Sequence, residues 1–240
     1  MPNRRNQLAI MLVLVLVIGL RGWMIAGDGI AFDSDEAIVY LMGRHISQGK
    51  PIPTFFYDQV YMGSLSAISV AGGFKLFGDS LETARIVQTA EFLLTLLSGF
   101  ALARAVTGSA RVAAIALLIL AFPPASATLY TSISTGGWHE VMLCGNLVML
   151  FAWQLTIARK RDLWRWVALG LAAGIGWWSM GSIITAMAVA GLLILRHFSP
   201  KYWRGYALAA AGFLLGSLPW RRLYAHHGRL PSRNPAAASA

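Results

Sequence analysis

An all-α integral membrane fold is what this sequence predicts, on three observations. Hydrophobic residues fill 57% of the 240 positions and charged residues only 12%, with nine Trp, a composition suited to the bilayer as solvent rather than to a soluble domain. Apolar runs of roughly spanning length recur along the whole chain. The net charge of +10 falls in short clusters between those runs, which is the pattern of cytoplasmic loops and not of a nucleic-acid-binding patch.

The elements follow in order. Residues 1–7 form a short basic tail with Arg4 and Arg5. The run from Leu8 to Ala26, broken only by Arg21 near its end, would reach about 28 Å as a helix at ~1.5 Å per residue. It is long for a signal peptide and no clean small-x-small site follows, so it is expected to stay as an uncleaved span. Further apolar segments cover roughly 86–103, 112–122 with its neighbours, 141–157, 166–182, 183–195 and 206–220. The lone Cys144 lies inside one of them and reads as a small packing residue.

Segment 61–77, YMGSLSAISVAGGFKLF, is the ambiguous one, and charge decides it. If it does not cross and the N-terminus is cytoplasmic, the clusters at 4–5, 104–111, 159–165 and 196–204 all face the cytoplasm, with eleven of the twenty Lys and Arg. Seven of the ten acids, Asp28 through Glu82, then share one external loop, 27–84. If it crosses, the RKRDLWR cluster lands outside and the signal contradicts itself. The expectation is therefore about seven spans within a module over 8–224, with juxtamembrane helices at about 34–48 and 61–77 in the first external loop.

Within FDSDEAIVYLMGRHISQGKP, residues 32–51, Asp33 suits an N-cap. Glu36 would complete a capping box, and Asp35 sits where the helix dipole favours an anion. The helix should present Ile38, Leu41, Met42, His45 and Ile46 on one side and stop at Gly49 and Pro51. A capped interfacial helix with no chemistry accounts for this pattern. So does a carboxylate held at the membrane surface, placed to take a proton from a hydroxyl or to bind a divalent cation.

The D-E-A helix start (Asp35, Glu36, Ala37), its G-x-P end (Gly49, Pro51), a second short helix ending K-L-F-G-D-S (75–80), and the following Ala84-Arg85 resemble the GT-C membrane glycosyltransferases. The similarity is greatest to the protein O-mannosyltransferases and the lipid A aminoarabinose transferases, and it runs from about residue 8 to 224. It implies seven spans with two juxtamembrane helices, a polyprenyl-phosphate-linked sugar as donor, and a glycan, lipid or protein acceptor. It also implies a multi-pass location among the lipids of the bacterial inner (plasma) membrane. The family's catalytic Asp in the first loop corresponds to Asp35. Asp33 would be the cap, or with Asp35 a D-x-D pair for Mg²⁺ or Mn²⁺.

A second constellation is STGGWHEVM, 134–142. Gly136 and Gly137 suit a turn, Trp138 an interface, and His139 and Glu140 would enter the membrane edge on the side of Asp35. They are candidates for substrate binding, as is Glu36. Arg85, at the start of the second long run, is a donor-side candidate by resemblance, with Glu91 deeper. After Trp220 the sequence turns Arg-rich, and Arg221 and Arg222 could clamp a lipid phosphate. Residues 225–240 read as a disordered tail of a truncated product. The expected activity is sugar transfer to an acceptor hydroxyl on the external face. An inactive fragment or lipid-binding partner subunit is the alternative, and a transporter is a weaker third reading.

Overall fold

The computed structural model describes residues 4–27, 29–160 and 162–220; Asp28, Arg161, Arg221, Arg222, the side chains of Arg4 and Arg5, and the 225–240 tail lie outside them. The described residues are all-helical. The helices are α1 (Arg4–Ala26), α2 (Ser34–Ser47), α3 (Leu65–Phe77), α4 (Leu81–Thr107), α5 (Ala110–Ala121), α6 (Ala125–Tyr130), α7 (Trp138–Thr156), α8 (Leu163–Ser179), α9 (Ile184–Arg196) and α10 (Trp203–Gly216). Two of these, Gln7–Ala26 within α1 and Leu81–Thr107, are long and apolar enough to cross a membrane. A helix stands at each of the other five places expected to span, but each is shorter or more polar. α5, for instance, has 12 residues, about 18 Å at ~1.5 Å each. It stops before Pro123 and Pro124, which supply no amide hydrogen, and α6 begins directly after them.

Three apolar clusters hold the helices together. Val13 and Val17 of α1 meet Phe92 and Leu96 of α4 and Leu117 of α5. Val39, Met42 and Ile46 of α2 meet Val70 and Phe74 of α3. Val148 and Leu155 of α7 meet Trp166 and Leu169 of α8 and Ala190 of α9.

The connections sort by end. The 48–64 loop, the α6–α7 turn, the α8–α9 junction and Trp220 converge. Gly63 N–H donates to Ser179 O at 3.0 Å, Trp178 Nε1–H donates to Thr54 O at 2.8 Å, and the rings of Phe55 and Trp220 are 6.2 Å apart. At the other end Trp153 Nε1–H of α7 donates to Ala105 O of α4 at 3.0 Å, and Arg165 donates to Gln154 Oε1 at 2.9 Å. The basic turns holding Arg104, Arg111, Arg159, Arg165, Arg196 and Arg204 therefore lie away from α2 and α3.

α8 and α10 pack through glycine. A Cβ on Gly212 would come within 2.7 Å of Val167 O, one on Gly216 within 2.7 Å of Leu171 O, and those on Gly170 and Gly174 would overlap the carbonyls of Ala209 and Phe213. Backbone meets backbone along this seam, the small-xxx-small geometry of helix pairs in lipid.

Two sequence expectations shift. α3 starts at Leu65 rather than 61, because 55–63 forms bridge contacts, Phe55 with Gly63 and Met62 with Met180. The buried face of α2 is Glu36, Val39, Met42, Gly43 and Ile46, rotated from the expected one, and Leu41 is exposed. The rotation follows from two demands: Glu36 is drawn inward to a basic partner, and Gly43 admits Val70, whose Cγ1 would lie 2.7 Å from a Cβ there.

Candidate functional site

Asp33 caps α2 as its sequence suggests. Its backbone is extended, and Oδ1 accepts from the Asp35 amide at 2.8 Å. This fixes the first turn and aims the Asp35 carboxylate away from the helix axis, beside amides that favour negative charge. Asp33 and Asp35 line a cavity of about 200 Å³ with Phe32, Tyr130, Ile133 and Thr135. Among the described residues neither carboxylate has an ion-pair partner. The Thr135 hydroxyl in the same wall is buried without a hydrogen-bond partner. The first-loop acids and the 134–142 segment thus meet at one cavity, and Thr135 is the residue of that segment that lines it.

Glu36 leaves the cap it was expected to complete. It accepts from Arg85 Nε and Nη2, both at 2.8 Å, and both side chains are buried. A bidentate charge-assisted pair outweighs a neutral capping bond. It ties the start of α2 to the start of α4. The outer face of α2 is tied to the same region by Arg44 with Asp79 at 2.9 Å and by Tyr40 OH donating to Asp79 at 2.5 Å. That hydrogen bond, and burial after it, raise the Tyr40 phenol above its ordinary pKa. Together these contacts hold Asp35 on a fixed platform.

The glycine turn before α7 forms as expected, with φ of +76° at Gly136 and +35° at Gly137. Gly137 is pressed so close to α8 that a Cβ would stand 2.6 Å from Ser179 O. His139 and Glu140 both face inward. His139 Nε2 lies 3.0 Å from Thr131 O. The same carbonyl accepts from Arg21 Nη1, whose Nη2 donates to Thr131 Oγ1 at 2.7 Å. The Arg21 guanidinium covers the Phe92 ring at 3.8 Å. Glu140 Oε1 accepts from Ser66 Oγ of α3 at 2.6 Å. His139, Glu140 and Arg85 are therefore buried in the interior and form no part of the wall of the Asp33–Asp35 cavity.

A second, mostly apolar cavity of about 520 Å³ opens between α4, α5, α7 and the start of α9, with Leu96, Leu120, Thr131, Val141, Met149 and Ala186 in its walls. Thr131, Thr135, Ser66 and the inward-facing Arg21 escaped sequence reasoning. The available signal was Arg21 itself, a guanidinium interrupting an otherwise apolar run.

At the Asp33–Asp35 cavity Asp33 Oδ1 is already committed to the cap, and among the described residues no group of three His, Cys, Asp or Glu assembles. The cavity presents two carboxylates, Asp35 and Asp33 with its Oδ2, beside aromatic and hydroxyl groups. No family model matches the chain, and no curated protein or solved structure matches it either.

Proposed function

We propose that this chain is a multi-pass membrane glycosyltransferase of GT-C type. It takes a sugar from a polyprenyl-phosphate donor and moves it to an acceptor hydroxyl on the external face. The carrying observation is the half-buried Asp35, unpaired among the described residues, in a small cavity closed by the segment before α7. In this reading α1, α4, α5 with α6, α7, α8, α9 and α10 cross the membrane. α2 and α3 lie at its outer surface, and the N-terminus is cytoplasmic, since the basic turns gather at the end opposite α2.

Asp35 accepts the proton of the acceptor hydroxyl as its oxygen bonds to the sugar's anomeric carbon. The bond from that carbon to the lipid phosphate oxygen breaks, the phosphate leaves with the electron pair, and the configuration inverts. The leaving group is already an anion of low basicity, so stabilising its charge matters more than protonating it. The apolar 520 Å³ cavity supplies walls for a prenyl chain.

Membranes containing the chain, given a panel of radiolabelled polyprenyl-phosphate sugars, should transfer label to an acceptor. Asp35→Asn should lower transfer at least ~100-fold, the lower range for a lost general base, at unchanged expression. Equal transfer by both proteins would remove Asp35 from the chemistry, and transfer by neither would favour a lipid-binding subunit.

A further inference from the structure

Arg21 carries a charge that the transfer reading does not use. It interrupts the apolar run of α1 and is only 3% exposed. A guanidinium has five N–H donors and, unlike a buried carboxyl, cannot give up its charge at neutral pH. Nη1 donates to Thr131 O and Nη2 to Thr131 Oγ1, and the group lies over the Phe92 ring at 3.8 Å. The other N–H groups have no acceptor among the described residues. A carbonyl, a hydroxyl and a ring orient the cation without cancelling its charge. Among the described residues no carboxylate pairs with it. Glu91, beside Phe92 in sequence, feels the field of Glu140 instead, and Glu140 is held by Ser66 at 2.6 Å.

The two residues that orient Arg21 also belong to the wall of the larger cavity. Phe92 and Thr131 both line it, and Val141, Gly145 and Met149 continue the wall along α7 for ~12 Å at the helical rise. Its volume of about 520 Å³ falls in the range of ~300–1,000 Å³ usual for a ligand site. An apolar length with a fixed cation at one end is the complement of an amphiphile with an anionic head. Guanidinium donors match phosphate oxygens two at a time. Tyr130 and Ile133, close to Thr131 on either side in sequence, line the Asp35 cavity, so one short segment separates such a head from Asp35.

We propose that Arg21 holds the phosphate head of a lipid whose chain lies in this cavity, with Phe92 and Thr131 setting the place of the guanidinium. The proposal rests on the reading of the cavity as a lipid site, but binding is expected whether or not the chain transfers sugar.

Farnesyl phosphate and farnesol, alike in chain and different in head, test it by equilibrium binding of the radiolabelled compounds to the full chain in a non-ionic detergent. Farnesyl phosphate should bind saturably and at least ~10-fold more tightly than farnesol, the lower range for hydrogen bonds to a charged group. Inorganic phosphate at equal concentration should not displace it. Arg21→Gln should reduce farnesyl phosphate to the affinity of farnesol and leave farnesol unchanged, whereas loss of a merely structural Arg21 would weaken both. Arg21→Lys keeps the charge without the fork and should retain part of the preference; it carries the test if Arg21→Gln does not yield folded protein. Ala186→Phe, placed in the cavity wall, should weaken both ligands, and Asp35→Asn should bind both as the wild type does. Displacement by phosphatidylglycerol as effective as by farnesyl phosphate upholds the Arg21 site as one for bilayer phospholipid, and counts against the transfer reading alone. The proposal is overturned if the wild type binds farnesol as tightly as farnesyl phosphate, if inorganic phosphate displaces the lipid, or if Arg21→Gln weakens both ligands alike.

Discussion

The two halves of the helical assembly are held by opposite means. Along α8 and α10, Gly170, Gly174, Gly212 and Gly216 remove side chains altogether and let carbonyls of one helix touch the other. Around α2, α3, α4 and the start of α7, the interior is filled instead with Glu36, Arg85, Gln88, His139 and Glu140. The first arrangement gains dispersion contact and asks for no partners. The second obliges every charge to find one. Chemistry can be built only in the second, which is where Asp35 stands. The difference shows that the glycine seam is scaffold and the polar half is where binding or reaction is to be sought.

The comparison can be broken at its strongest point first. Gly170→Leu forces a branched side chain into the Ala209 carbonyl and should abolish monodisperse protein in size-exclusion chromatography, because no rotamer avoids a clash at Cβ. Arg85→Met comes next. It strands a buried carboxylate, and loss of one partner from such a pair costs about 3–5 kcal/mol, read as a lowered thermal midpoint. Adding Glu36→Gln should restore most of it, and failure to restore would mean that Arg85 serves chiefly its other contacts. Asp33→Ala should cost about 1 kcal/mol through the lost α2 cap, and Asp33→Asn should keep most of it. Asp35→Asn should change stability within about 0.5 kcal/mol, as for surface sites without special contacts. A large loss there would make Asp35 a structural residue like Glu36.

The sequence carried the helix positions because apolar runs bounded by basic clusters are a local signal. It also carried the Asp33 cap and the Gly136–Gly137 turn, each set by residues within one turn of chain. It did not carry the Glu36–Arg85 pair. Its partners are 49 residues apart, and their meeting depends on how α2 is rotated, which Gly43 against Val70 decides. Glu91 and Glu140 were each visible as acids, but their approach to one another was not legible for the same reason. Each reads alone as an isolated acid near an apolar run, and only the packing of α4 on α7 makes them neighbours. The Asp35 cavity was half legible: the acids were visible, but the Thr135 wall required the chain to return from α6.

The α8–α10 seam also sets how the gene can vary. Every codon change that replaces glycine introduces a Cβ, and at Gly212 even alanine would put one 2.7 Å from Val167 O. No conservative replacement exists there, so a saturation library should return an almost empty column at Gly170, Gly174, Gly212 and Gly216. Asp33, exposed on its loop, should tolerate Asn, Ser and Thr. A map of tolerated codons would thus trace the scaffold without any knowledge of the reaction.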